Sequence, residues 1–230
     1  MDAQGEIMVT GATGGIGSAV VAELARRGHP VTAAGRDGER LRRLCDHHQG
    51  VTAARIDLRE PEGPAALGAG RERVAALVHC AGVAPVAGVA ETSWHTWSDV
   101  LAVNLVGPAE ATRALLPALR AARGHVVFVN AAPGVHGVPR WSAYTASKAG
   151  LRELADALRA EEAAHGVRVT SVYPRGTDTA LLRAVRAAFG RDFDPAACVR
   201  PATVAAVVAD TIAAPPDGYP TEVVVSSPHP

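Results

Sequence analysis

The stretch "MVTGATGGIGSAVVAELARRG", residues 8–28, decides the fold. It opens at the end of an apolar run, "EIMVT" (6–10), that suits a strand. It closes with Ile16, Val20, Val21 and Leu24 at helical spacing. Between the two lies a glycine cluster. Gly11, Gly15 and Gly17 permit a tight turn, close backbone approach to a pyrophosphate and close helix–strand packing. The helix behind them offers unpaired N–H groups and a positive dipole end to phosphates. Glycine clusters alone are weak signals, because plain turns use glycine too. Placed after a strand and before an amphipathic helix, this one reads as a dinucleotide site.

The same alternation continues outward. Candidate strands are 6–10, 31–35, 51–56, 74–81, 125–130, 167–173 and 222–226, and candidate helices lie near 15–27, 37–48, 93–121, 142–165 and 201–213. Near-continuous apolar strands joined by helices predict a parallel sheet covered on both faces. No repeat or long linker divides the chain, so residues 1–230 are read as one doubly wound α/β domain with a seven-stranded parallel sheet. Segments 61–70 and 175–200 read as loops with short helices.

Apolar residues make up 48% and charged residues 20%, which indicates a folded globular protein rather than a disordered one. Net charge is zero, which offers no electrostatic case for nucleic acid or an anionic membrane. No apolar run is long enough to span a bilayer and the N-terminus lacks a signal pattern. Cys45, Cys80 and Cys198 are widely spaced and odd in number, which points to a reducing cytoplasm. The nine histidines show no metal-ligand spacing and are expected on the surface or in loops. One compositional fact is sharper: among 23 basic residues Lys148 is the only lysine. Arginine serves as the general cation, so a lone lysine suggests a need for a compact, titratable ammonium.

The second strand ends "AAGRDGERL" (33–41). An NAD site usually carries an acidic residue here to accept from the ribose 2′-OH. Gly35 and Arg36 stand there instead, giving space and a guanidinium suited to a 2′-phosphate. NADP(H) is therefore expected over NAD(H), with Asp37 as a mild counterargument.

Tyr144 and Lys148 are four residues apart in a predicted helix and so project from one face. A phenol with a pKa near ~10 exchanges protons poorly at neutral pH, and a neighbouring ammonium would lower that value. Together, "TGATGGIG" (10–17), "DL" (57–58), "HCAG" (79–82), "VNL" (103–105), "YTASK" (144–148) and "YPRGTDT" (173–179) resemble the short-chain dehydrogenase/reductase family over essentially the whole chain. The resemblance implies a Rossmann domain and an oxidoreductase that interconverts a small carbonyl compound and a secondary alcohol. It implies cofactor contacts from Gly11, Thr13, Gly15, Ile16, Gly17, Arg36, Asp57, Leu58, Ala81, Gly82, Pro174, Thr177 and Thr179. Tyr144 would be the acid/base, Lys148 would also hold the nicotinamide ribose, and Asn104 would order a water that relays protons to Lys148. A homodimer or homotetramer, formed through the helices carrying Asn104 and Tyr144, is implied as well.

The chain departs from this family at one catalytic position. "NAAPG" (130–134) puts Ala131 where the family carries a serine that donates to the substrate oxygen. Loss of one such donor costs on the order of 10²–10³ in rate in other enzymes. Asn130 is expected to face away by strand alternation, Ser142 to point off the Tyr144 face, and His136 is a possible substitute donor. A slow reductase, a non-catalytic NADP-binding sensor or scaffold, and a serine-to-alanine trapping variant all remain open. His79 and Cys80 replace asparagines common in the family, which would loosen support of the sheet. Arg175 replaces a glycine and is expected to point to solvent, with an acidic substrate group or the cofactor diphosphate as alternatives. The substrate lid is expected near 176–200, with Leu181, Leu182, Val185 and Phe189, and Trp94, Trp97 and Trp141 are candidates for the rim.

Overall fold

The computed structural model describes residues 5–131 and 137–228. Strands β1 (Glu6–Thr10), β2 (Val31–Gly35), β3 (Val51–Arg55), β4 (Val74–His79), β5 (His125–Val129), β6 (Arg168–Pro174) and β7 (Glu222–Val225) form one parallel sheet. Its order is β3-β2-β1-β4-β5-β6-β7. In the central register Val9 lies between Ala33 and Val78, and Val78 pairs with Val127.

Helices α1 (Gly15–Arg26), α2 (Gly38–His47), α3 (Glu62–Ala66), α4 (Trp94–Leu101), α5 (Gly107–Ala122), α6 (Ser142–Glu162), α7 (Ala180–Ala188) and α8 (Pro201–Ile212) connect the strands. Period-2 alternation sends Ile7, Val9, Val78 and Val127 toward Val20 and Leu24 of α1 and Val204 and Val208 of α8. The intervening Met8, Leu77, Val126 and Phe128 face Leu115 and Leu119 of α5 and Leu151 and Leu158 of α6. Both faces are covered, which is why the strands read as unbroken apolar runs. Each fully buried aliphatic side chain contributes ~2 kcal/mol through removal from water.

Strand order reverses between β1 and β4, so the chain leaves their carboxyl ends in opposite directions and opens a crevice there.

Two expectations are corrected. The single helix over 93–121 is interrupted: after α4 the backbone widens into a π-helical turn, Ala102–Val106, before α5 begins. Pro108, in the first turn of α5, has no N–H with which to close the ordinary bond to the Asn104 carbonyl, which favours a break in the helical ladder here. The histidines are not all at the surface, since His79 and His125 are buried in strands. The His79 ring lies 3.0 Å from Thr112 Oγ1 and 3.4 Å from Thr10 Oγ1, and stacks on Phe128 with 4.9 Å between centroids. Burial pushes its pKa down to about 3, leaving it a neutral strut. His79 thus braces the sheet rather than loosening it.

Candidate active site

Gly11 has φ +65, and a Cβ there would lie 2.5 Å from the Ala81 nitrogen. A Cβ on Gly17 would lie 2.2 Å from the Gly11 carbonyl oxygen. The loop can therefore lie against the end of β4 and the start of α1 only if both residues are glycine. Gly14 precedes α1 and offers no side-chain cap, and the helix has no acidic residue in its first turn. Its leading N–H groups face a cleft of about 350 Å³ with a positive helix end beside it. Gly11, Thr13, Gly15, Ile16, Gly17, Arg36, Asp57, Leu58, Ala81, Gly82 and Thr179 all line this cleft. A cradle of this shape, bare of side chains where phosphates would sit, fits a dinucleotide.

At the far end of this cleft Arg36 is largely exposed, its Nη1 4.0 Å from Asp57 Oδ2. Asp37 is engaged elsewhere: its Oδ1 accepts from the backbone N–H of Glu39 and Arg40 and caps α2. Those bonds hold its carboxyl below the usual carboxylate range. Arg40 lines the same end, so two guanidiniums border it.

A second cleft, of about 410 Å³, shares Ile16, Cys80, Ala81, Gly82, Thr179 and Leu181 with the first, so the two form one continuous groove. Its walls include Ala131, Tyr144, Lys148, Pro174 and Thr177. Helix α6 brings Tyr144 and Lys148 to this wall together, as their spacing predicted. Lys148 is buried, its Nζ donates to the Val129 carbonyl at 3.1 Å, and burial pushes its pKa down to about 8. Tyr144 differs from expectation. Its pKa is pushed up to about 12 by burial, with no lowering by Lys148. In this arrangement the ammonium serves the Val129 carbonyl, and desolvation decides the state of the phenol. Cys80 shares the buried wall, and desolvation pushes its thiol up to about 12, which leaves it unreactive.

Asn104 lies behind the cleft rather than on its wall, fully buried within the π turn. Its Oδ1 accepts from Val83 N at 2.9 Å, and its Nδ2 donates to Val83 O and to Ser147 Oγ, both at 2.9 Å. Ser147 Oγ in turn donates to the Tyr144 carbonyl at 2.7 Å. This chain ties the loop after β4 to α6. Ala131 presents a methyl group to the cleft. Asn130 is buried; it borders the cleft together with Val129 and Ala131, and its Oδ1 accepts from Ala131 N at 2.8 Å. Ser142 is partly buried and lines neither cleft. His136 lies outside the described residues.

Trp141 stacks on the Tyr144 ring, 4.2 Å between centroids and 19° between planes, and meets Phe189 edge-on at 5.8 Å. Of the three tryptophans only Trp141 lines the cleft, and Trp94 is 86% exposed on α4. Leu181, Leu182, Val185 and Phe189 also line this cleft, and Arg175, which lines it too, is exposed.

The family described as short chain dehydrogenase matches residues 6–189. The chain belongs to the short-chain dehydrogenase family. An uncharacterised oxidoreductase of Myxococcus xanthus is 37% identical over 180 residues, covering 73% of this chain and 70% of that protein. A metagenomic short-chain oxidoreductase solved in complex with NADP is 29% identical, with a TM-score of 0.81 and 96% of each chain covered. The fold also matches an alcohol dehydrogenase from Thermococcus sibiricus, with a TM-score of 0.86 at 22% identity, over 98% of this chain and 97% of that one. This short-chain dehydrogenase is thus an oxidoreductase acting between CH–OH and C=O, and its groove at the β1/β4 reversal is where such a fold takes its dinucleotide. No described helix is long and apolar enough to cross a membrane.

Proposed function

We propose that this short-chain dehydrogenase reduces a ketone to a secondary alcohol, and the reverse, with NADP(H). The observation that carries the reading is the placement of Tyr144 and Lys148 on one wall of the groove that begins in the glycine cradle. Arg36 and Arg40 border the ribose end, Asp37 caps α2 and Asp57 lies beside Arg36, and the pair of guanidiniums makes the 2′-phosphate form the better fit.

Bound along the groove by Gly11, Gly15, Gly17 and Lys148, NADPH would supply the hydride that the carbonyl carbon accepts. Tyr144 gives its phenolic proton to the carbonyl oxygen as negative charge develops there. Lys148, drawn toward neutrality by burial, exchanges protons near neutral pH and neutralises the phenolate once it forms. Asn104 acts at one remove, holding the loop at Val83 and the helix turn at Ser147 in register. Ala131 supplies no donor to the oxygen, so turnover is expected about 10²–10³ below that of a serine-bearing site. The same methyl group favours the second reading, a protein that binds NADP without turning it over. A homo-oligomer formed through the helices carrying Asn104 and Tyr144 belongs to the same reading.

NADPH and NADH consumption against a ketone and aldehyde panel tests this in the unmodified chain, Ala131→Ser and Tyr144→Phe. The expected result is slow, NADPH-preferring turnover, at least tenfold faster in Ala131→Ser. Tyr144→Phe is expected to bind NADPH and turn nothing over. Turnover that survives Tyr144→Phe overturns the assigned acid. Tight NADPH binding with no turnover in either the unmodified chain or Ala131→Ser removes the carbonyl compounds of the panel as substrates.

A further inference from the structure

We infer that the substrate carries an anionic group, a carboxylate or phosphate ester, held at the cleft mouth by Arg175, Arg186 and Arg191. This rests on the oxidoreductase reading of the same cleft and names the chemistry it selects.

The charge balance of the cleft is one-sided. Three arginines and Lys148 line it, and no Asp or Glu does among the described residues. Elsewhere arginines are commonly matched: Arg26 and Arg27 with Glu23, Arg59 with Asp99, Arg113 with Glu110, Arg120 with Glu162 and Arg183 with Asp178. Among the described residues no carboxylate pairs with Arg175, Arg186 or Arg191. On this segment Asp178 takes Arg183, Asp194 caps the following turn by accepting from Ala196 N, and Asp192, next to Arg191 in the chain, forms no ion pair with it.

Helix α7 sets this arrangement. Leu182, Val185, Arg186 and Phe189 fall at i, i+3, i+4 and i+7, so one face turns an apolar stripe and a guanidinium to the cleft. Arg183 falls on another face, where Asp178 receives it. Phe189 then positions a second cation, with the Arg191 guanidinium carbon 5.3 Å from its ring centroid. The Arg140 guanidinium carbon lies 5.7 Å from the same centroid, and Arg140 Nη2 donates to the Ala188 carbonyl at 3.3 Å. Trp141 bridges from Phe189 to Tyr144. The cleft thus grades from the phenol, through two aromatic rings, to unpaired guanidiniums. A carbonyl compound with a short apolar body and an anionic far end matches that gradient. Guanidinium pairs with either a carboxylate or a phosphate in a bidentate fork.

The test is calorimetric binding to the chain saturated with NADP⁺. Each anionic probe is paired with a neutral one: levulinate and longer keto acids with their methyl esters, and dihydroxyacetone phosphate with dihydroxyacetone. The acid or the phosphate is expected to bind at least about tenfold tighter than its neutral partner. That ratio should fall toward one in Arg186→Ala/Arg191→Ala, and should shrink in the unmodified chain as salt is raised. The carboxylate and phosphate arms show which anion the forks prefer. A ratio near one in both arms, a ratio untouched by salt and by the double variant, or binding of no probe at all overturns the inference. NADPH oxidation read on the same pairs separates the two claims. Equal turnover of charged and neutral ketones, abolished by Tyr144→Phe, sinks the anion site and leaves the reductase. Anion-selective binding without oxidation does the reverse.

Discussion

Lys148 holds the only lysine ammonium in the chain, in a site that disfavours charge. Burial pulls its pKa from the ordinary 10.5 to about 8, while its partner is a neutral carbonyl that returns part of the lost solvation. Between those two values the unfolded chain keeps a proton that the folded chain has released. Stability contributed at this site is therefore present above about pH 10.5 and is lost as pH falls toward about 8. Because no other lysine exists, the ionisation can be read directly. Labelling with ¹³C-lysine yields one side-chain resonance, and its midpoint is expected near pH 8 in the cofactor-free protein. A midpoint at or above the ordinary lysine value would show that the site is wet. Tyr144, desolvated in the same wall, is expected to contribute no phenolate absorbance below about pH 11, read as the difference between the unmodified chain and Tyr144→Phe.

The interruption between α4 and α5 shows how a local irregularity builds the site. A straight helix would carry Asn104 past the loop after β4, whereas the π turn sets its amide against both backbone groups of Val83 and against Ser147. Replacing Asn104 with Ala leaves Val83 N, Val83 O and Ser147 Oγ without that partner. The cost is expected to be about 2–4 kcal/mol by urea unfolding. A loss under about 0.5 kcal/mol would remove the clamp from the account. Where Asn104→Ala still folds, kcat should fall more than KM rises, because the Tyr144 helix turn loses its tie while the cleft walls stay. None of this could be read in "VLAVNLVGPAEAT", which satisfies a continuous helical period and hints at a break only through Gly107 and Pro108. The glycine cradle and the Tyr144–Lys148 pair were legible because turn sterics and helical spacing are local rules. The pKa values of Tyr144 and Lys148 depend on burial by distant segments, which no local pattern encodes.

Across the sheet, α5 and α6 form the layer that presents the Asn104 turn and the Tyr144 helix together, and one ion pair ties them. Arg120 donates from Nε and Nη2 to the two Glu162 oxygens at 2.8 and 2.7 Å, with the carboxylate buried and the guanidinium half-exposed. This fork, ahead of desolvation, holds the Glu162 carboxyl below its ordinary 4.5. A carboxylate depressed in the folded state contributes stability above about pH 4.5, and that contribution is lost as pH falls below it. Arg120→Ala strands a buried charge rather than merely deleting a contact. At neutral pH it is expected to cost about 2 kcal/mol, discounted because Arg120 meets solvent, or about 4–8 °C in Tm. Near pH 4 the stranded Glu162 takes up a proton and most of that penalty disappears, so the Tm gap between Arg120→Ala and the unmodified chain should narrow. A gap that is constant from pH 7 to pH 4 would mean that Arg120 acts through packing of its stem rather than through the fork. Because the pair lies at the ends of α5 and α6 away from the cleft, its loss should lower Tm well before it alters NADPH binding.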